Sequence, residues 1–397
     1  MQWVSAVKIA IATWSYDEHQ GISRCVVELS SRLARTHDVH VFTADIATQP
    51  RPGVHVHKVP LRFPQVHLND YDFCFRVGGM LRRQSWDLVH AHFPVWCPTD
   101  VYTCHGLARM ALRSFRKFPS AARVDVSALR MLRWHAQVPL HAWAVRQRRP
   151  LLTAVSHKVA VELAEESRRP IEQVTVVANG VDLERFSPDT ATCLRRDARV
   201  RLGLADDRFV LLWVGNSLRH KGIRYAMDTL TQLPPSAMLL AVGADSPANV
   251  PELATEIAAL QAQGRLRFLG TDTQIEQHYA AADALLFPSL YESFGLVVLE
   301  AMAMGLPVVT ARTVGLADEA LKDGVNGMVV NEPWQTTAMA ERVLRLMTDE
   351  GLRGDIVSAG RRTALKYTWD SYCDAYERLY AGALHARHLN RDRAHAT

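Results

Sequence analysis

No stretch of this chain approaches the ~20 consecutive apolar residues of a membrane span. Its start, Met1 to Trp14, has neither a basic leader nor a long apolar core before a cleavage site, so secretion is not expected. The six cysteines, Cys25, Cys74, Cys97, Cys104, Cys193 and Cys373, form no C-x-x-C pair. They read as small core residues of a reducing compartment rather than a disulfide or zinc framework. The dinucleotide signature G-x-G-x-x-G is missing after the first strand, and no loop has Walker spacing. His55/His57 and His90/His92 alternate along strands without a third ligand, so no metal site is expected. A composition of 48% apolar and 22% charged residues excludes a disordered, collagenous or repeat-dominated chain. At 397 residues it can bury a large core without disulfides or metal.

What is present is an alternation of short apolar runs and amphipathic stretches. Lys8–Thr13, Val39–Thr43, Val54–Val59, Asp87–Ala91, Leu151–Val155 and Val174–Ala178 read as strands of a first α/β unit. The pattern restarts with Phe209–Val214, Met238–Val242, Leu266–Leu269, Ala284–Phe287 and Pro307–Ala311. Two doubly wound units are expected, with boundaries at 1–185 and 186–366. The stretch 367–386, with Tyr372, Tyr376, Leu379 and Tyr380 at core spacing, reads as a helix returning to the first unit. Residues 387–397 read as a polar, frayed tail.

Three segments carry chemistry. In Tyr291-Glu-Ser-Phe-Gly-Leu-Val-Val-Leu-Glu300 a strand ends in a loop and a helix begins near Gly295. Amides of Phe294, Gly295 and Leu296 at that helix start suit a diphosphate. Glu292 and Glu300 suit the hydroxyls of a sugar or ribose; the alternative is a capping Glu292 and an exposed Glu300. Val214-Gly-Asn-Ser-Leu-Arg-His-Lys-Gly222 puts Arg219 and Lys221 on a glycine-bounded loop after a strand. Such cations suit a phosphate, or are simply solvated. Gly21 opens the first helix, and His105 follows a short strand and precedes a glycine, which suits a cleft or a structural role.

Together these segments resemble the retaining GT-B glycosyltransferases of glycosyltransferase family 4. The E-x7-E motif stands as Glu292 to Glu300 and the Lys-Gly loop as Arg219-His-Lys-Gly222. Asn179-Gly-Val-Asp182 with Phe186 and Pro188, Ala281-Ala-Asp283, Asp323-Gly-Val-Asn-Gly327 and Trp369 also match. A narrower resemblance, to bacterial lipopolysaccharide-core glucosyltransferases, rests on Gly21-Ile-Ser-Arg24, Asp100-Val-Tyr102 and Leu233-Pro234.

The resemblance implies two Rossmann-like domains facing a central cleft and a UDP-sugar donor, with no metal or other cofactor. By position, Glu300 would hold the ribose and Glu292 the donor sugar. Gly215, Asn216, Phe294, Gly295 and Leu296 would line the nucleotide sugar, while Lys221 and Arg219 would neutralise the diphosphate. His105 would lie beneath the sugar ring, and Gly21 would let its loop approach the phosphates. Two positions depart from the pattern: Asn216 stands where many relatives carry Arg, and Val314-Gly-Leu316 where a glycine pair is common. Alternatives within the same fold are a sugar phosphorylase, a UDP-sugar epimerase, or a glycan-binding relative without catalysis.

The charge is uneven. His105–Pro150 carries ten basic residues and one acid, Asp125, a net +9 that leaves −4 for the rest of the chain. Arg109, Arg113, Arg116 and Lys117 share one helical face, opposite Leu107, Ala111, Phe115 and Phe118. Acidic partners are missing nearby in sequence, and Trp134 and Trp143 are interleaved. This reads as a patch for an anionic membrane surface, holding a cytoplasmic enzyme on the inner leaflet near a lipid-linked acceptor. A solvated helix face is the alternative, and no nucleic-acid module is recognisable.

Overall fold

A computed structural model describes residues 6–62, 69–116 and 128–395, without the side chains of 114–116, 128–131, 133, 386 and 388–395. The chain divides into two compact units. One comprises Met1–Arg113, Val126–Gly180 and Trp369–Thr397, and the other chiefly Val181–Thr368.

Among the described residues, the first unit is built on seven strands. They are β1 (Lys8–Tyr16), β2 (Asp38–Ile46), β3 (Val54–Lys58), β4 (Leu88–Ala91), β5 (Val101–Cys104), β6 (Leu151–Ala154) and β7 (Val174–Val176). Their order is β3-β2-β1-β4-β5-β6-β7, with every pairing parallel. The second unit has β8 (Phe209–Val214), β9 (Ala237–Val242), β10 (Leu266–Gly270), β11 (Ala284–Phe287), β12 (Val308–Ala311) and β13 (Met328–Val330). Their order is β10-β9-β8-β11-β12-β13, again all parallel. β8, β9 and β11 are continuous apolar runs because helices cover both faces of a parallel sheet.

Each sheet reverses its strand order once, between β1 and β4 in the first unit and between β8 and β11 in the second. At such a point the loops leaving neighbouring strands diverge to opposite faces and open a crevice at the carboxyl ends. The segments singled out from sequence leave those strands: Gly215–Gly222 follows β8, and Pro288–Gly295 follows β11.

Three elements differ from the sequence reading. β13 was not anticipated, since three residues are too few to show a period. The helix Ala128–Arg146 runs through Pro139, which the sequence reading took as an interruption. Leu140, Ala142, Ala144 and Val145 are buried beyond it, and that packing offsets the ~3 kcal/mol of an interior proline. The C-terminal helix runs from Trp369 to His395, so the stretch read as a polar tail is helical nearly to its end.

That helix is tied to the first sheet by polar as well as apolar contacts. Tyr380 Oη lies 2.6 Å from His90 Nδ1, and His90 Nε2 lies 2.7 Å from Thr103 Oγ1. Thr103 Oγ1 also meets Tyr376 Oη and Thr153 Oγ1, each at 2.7 Å. Burial pushes His90 down to about 3, and His141 to about 4. All six cysteines are free; Cys25, Cys74, Cys104 and Cys373 are core residues as read, whereas Cys193 is exposed. No helix among the described residues is long and apolar enough to cross a membrane.

Buried histidines with lowered pKa take up protons more readily once unfolded, where the value is about 6.5. The stability they contribute is therefore complete above pH 6.5 and is lost as pH falls toward 4. Thermal denaturation should show a melting temperature that drops across this window, before ordinary carboxylates titrate. A flat profile from pH 6.5 to 5 would contradict this account.

Candidate active site

The site in the second unit begins with two strand ends that are neighbours only because the sheet order reverses. Beyond β8, the chain turns through Asn216 and Ser217 and returns so that Lys221 packs beside Gly215, where a Cβ would sit 2.7 Å from Lys221 Cγ. The Trp213 indole donates to the Lys221 carbonyl at 3.0 Å and fixes the turn from beneath. Gly222 then caps the helix Ile223–Thr231 with φ 73°. A Cβ there would stand 1.9 Å from the Pro288 carbonyl oxygen, so only glycine lets this loop reach the one leaving β11. The Leu290 amide donates to the His220 carbonyl at 3.0 Å and closes the junction.

Across that junction the Lys221 ammonium forms an ion pair with the Glu292 carboxylate. Both side chains are half-buried, and Lys221 Nζ lies 5.9 Å from the Phe287 ring centroid. The backbone of Glu292 is clamped by the loop after β12: its amide donates to the Thr313 carbonyl and its carbonyl accepts from the Gly315 amide, both at 3.1 Å. The Leu316 amide donates to the Phe294 carbonyl at 2.8 Å. Val314–Leu316, where the sequence departs from the family pattern, is thus the rail along which Glu292–Phe294 is laid.

Gly295, at φ 104°, starts the helix Leu296–Ala303. A Cβ there would lie 2.5 Å from Val314 Cγ1. The first turn of this helix carries no side-chain cap and no acidic residue. Its amides therefore present the positive end of the helix dipole.

Glu300 lies one turn further in and is 4% exposed, which rules out an exposed surface carboxylate. Tyr279 Oη donates to Glu300 Oε2 at 2.8 Å. Tyr279 is a positioning residue that sequence reasoning missed; nothing in the run around it marks it out. The matched Asp283 is likewise structural: its carboxylate accepts from the Val210 amide at 2.7 Å and binds Arg195 and Arg199, pinning the start of β8.

Arg219 is not aimed with Lys221. Its guanidinium makes a two-pronged pair with Glu252, at 2.9 and 2.6 Å. Asn216 is exposed and its Oδ1 accepts from the Ala244 amide at 3.0 Å, joining the loops after β8 and β9.

In the first unit, His105 Nε2 lies 2.8 Å from His92 Nδ1, their rings stacked 5.1 Å apart. Desolvation pushes His105 down to about 4 and His92 well below the usual value, so both are neutral at neutral pH. His92 Nε2 is buried without a hydrogen-bond partner. Gly21 is exposed and opens the helix Gly21–Leu33, which has neither a side-chain cap nor an acid in its first turn. Its φ is outside the left-handed region, so close approach rather than turn geometry is what a glycine permits there.

Both halves match known family profiles. "Glycosyltransferase Family 4" covers residues 19–185 and "Glycosyl transferases group 1" covers residues 195–363. A relative from Xylanimonas cellulosilytica, named D-inositol 3-phosphate glycosyltransferase, is 31% identical over 404 residues, covering 92% of this chain and 93% of its own. One of the same name from Salinispora arenicola is 30% identical over 410 residues, covering 92% and 88%. The chain belongs to the glycosyl transferases group 1 family.

The fold of this glycosyltransferase agrees with solved GT-B structures. WaaG, a glycosyltransferase involved in lipopolysaccharide biosynthesis, superposes with TM-score 0.78 at 22% identity, covering 94% of this chain and all of WaaG. Anabaena HepE in complex with UDP-glucose gives TM-score 0.72 at 22% identity, covering 95% and 100%.

The basic segment of the glycosyltransferase differs from the expectation that its arginines lack acidic partners. Glu166, 4% exposed, lies 2.6 Å from Arg109 and 2.9 Å from Arg146. Arg113 pairs with Glu165, and Arg149 with Asp100 at 3.1 Å. The helix Ala108–Arg116 buries Ala108, Met110 and Leu112, with Leu107 just before it, while Ala111 is only half-buried. The Arg116 and Phe115 side chains, and Lys117 and Phe118, lie outside the described residues.

Replacing Gly222 by Ala should destabilise the second unit by about 2 kcal/mol or more, because it combines a left-handed backbone with a clash against Pro288. Urea unfolding measures this; a Gly222→Ala midpoint equal to wild type would show that the two loops are not in contact.

Proposed function

We propose that this glycosyltransferase moves a glucose-like hexose from a UDP-sugar, with retention of anomeric configuration, to a lipid-linked glycan such as a lipopolysaccharide core. The observation that carries the donor half is the pairing of Lys221 with Glu292 at the reversal of the second sheet, beside an uncapped helix N-terminus. Breaking a sugar–phosphate bond develops negative charge on the diphosphate and positive charge on the anomeric carbon. Lys221 and the amides of Phe294, Gly295 and Leu296 would stabilise the first without a metal, each such donor contributing ~3–4 kcal/mol in comparable sites.

The incoming diphosphate competes with Glu292 for Lys221, which frees the Glu292 carboxylate to accept sugar hydroxyls. Glu300, held by Tyr279, accepts the ribose hydroxyls. Arg219 must leave Glu252 to reach the phosphates, so it contributes less than Lys221 in this reading. His105, neutral, is suited to face a ring rather than a charge. Attack comes from the face of the leaving phosphate, which takes the acceptor's proton, and no separate base is assigned.

For the acceptor, an aromatic surface on the first unit supports docking on the inner leaflet of an anionic membrane. Trp143, on the helix Ala128–Arg146, stacks on Trp96 at 4.7 Å and 12°. Trp96 is 48% exposed and Phe75 67%. With Tyr71, Cys74 and Leu140 they line a groove of about 340 Å³. Aromatic rings beside basic residues suit the headgroup region. The second reading is a soluble inositol phosphate acceptor, which the names of the 30–31% identical relatives favour.

Thermal-shift screening should show stabilisation by UDP-glucose, and proton NMR of the product should show the donor's anomeric configuration retained. Inversion would remove the proposed mechanism. Lys221→Ala and Glu292→Ala should each lower transfer by at least about 100-fold with the fold intact; near-wild-type turnover in either would remove that residue. Co-sedimentation with anionic but not neutral liposomes, weakened in Phe75→Ser, supports the lipid-linked acceptor. Turnover of inositol phosphate without liposome binding would favour the second reading.

A further inference from the structure

The amino-terminal half of the first sheet's edge gathers four residues that the glycosyl transfer does not use. The register of β2 on β3 sets His40 against His55 and Phe42 against His57. The alternation of a strand places Asp38 on the same face as His40. Asp38 Oδ1 stands 3.0 Å from His40 Nε2 and 3.8 Å from His55 Nε2. The expectation of no metal site missed this group because Asp38 and His40 lie on a different strand from His55 and His57.

We propose that Asp38, His40 and His55 bind a divalent transition-metal ion of zinc type at the edge of the first sheet. Two imidazoles aim their Nε2 atoms at one carboxylate oxygen, and the three donor atoms lie within 4.8 Å of one another. The 3.8 Å separation is too long for a hydrogen bond. A tetrahedral zinc ion with bonds near 2.1 Å sets its ligand atoms about 3.4 Å apart. The two measured separations bracket that value.

The surroundings support ligation in the way outer-shell groups do. His40 Nδ1 lies 2.8 Å from His57 Nε2, so His57 can hold His40 in the tautomer that leaves Nε2 as a lone pair. The three rings are stacked, His40 on His55 at 4.8 Å and on His57 at 5.1 Å. Trp86 meets the His40 ring edge-on at 5.0 Å, and Phe42 covers His57 at 4.7 Å. Lys8, the neighbouring cation, is turned onto the Trp86 ring at 4.8 Å. Two nitrogens and one oxygen favour zinc, nickel or copper over magnesium or calcium. Asp38 and His55 are solvent-exposed, which leaves the fourth position to water. The ion would fasten the edge strand β3 to β2.

The test uses the full-length, untagged protein stripped with a chelator. Competition against a chromophoric chelator should reveal one saturable zinc equivalent, and zinc but not magnesium should raise the melting temperature. His55→Gln and Asp38→Asn should each weaken that equivalent by at least about tenfold while leaving the metal-free melting temperature unchanged. Zinc affinity equal to wild type in both variants, or no saturable equivalent in the wild type, would overturn the proposal.

Discussion

The second unit depends on one contact, the ion pair between Lys221 and Glu292. These residues are 71 positions apart and lie on loops that leave two different strands. They meet because β8 and β11 are adjacent only at the reversal of the sheet, and because Gly222 admits the Pro288 carbonyl where any side chain would collide. An exposed pair of this kind would contribute little to stability. Half-buried, its consequence is placement: each charge holds the other at the mouth of the crevice, beside the positive end of the helix Leu296–Ala303. In the proposed reaction the diphosphate would replace Glu292 as the partner of Lys221, so the pair keeps both charges in place rather than presenting them free.

The first unit is organised differently, by a buried polar cluster rather than an ion pair. His90 is satisfied on both nitrogens, by Tyr380 and by Thr103, and Thr103 passes the chain to Tyr376 and Thr153. A buried polar group costs stability unless it is partnered, and here the partners come from the C-terminal helix. The same bonds that satisfy the histidine therefore hold that helix on the sheet. The His92 ring lies against that of His90, tilted by 41° with centroids 4.2 Å apart, and is bonded to His105. The cluster thus runs without a break to the residue placed beside the carboxyl ends of the strands.

Most of this architecture was legible in the sequence, for a physical reason. A strand covered on both faces must be apolar throughout, so β8, β9 and β11 announce themselves, while the three residues of β13 do not. Gly222, Glu292, Gly295 and Glu300 were legible as a spaced set, but their residues alone also allowed a capping Glu292 and an exposed Glu300, and the family resemblance supplied the roles. Tyr279 was not, since a tyrosine in a helix is ordinary until its hydroxyl is seen on Glu300. Arg219 was legible as a cation but not as a partner of Glu252, because pairing is decided by the loop's path. The group of Asp38, His40, His55 and His57 needed the register of two parallel strands, which no local pattern encodes.

The basic segment shows the limit of counting charge along a chain. Its net +9 is a property of sequence neighbours, whereas a field is set by neighbours in space. Glu166, almost fully buried, draws in Arg109 and Arg146, and so ties the helices Ala108–Arg116 and Ala128–Arg146 to the helix His157–Ser167 that carries it. Those arginines are in large part structural, and the charge they could offer a membrane is reduced accordingly. An unpaired carboxylate at 4% exposure would be costly, so Glu166 and its arginines are expected to change together or not at all. Among the described residues, the first unit also carries an exposed aromatic surface, the Trp96–Trp143 stack and Phe75. Any attachment of this unit to lipid would therefore draw on aromatic burial together with the charge that those pairs leave over.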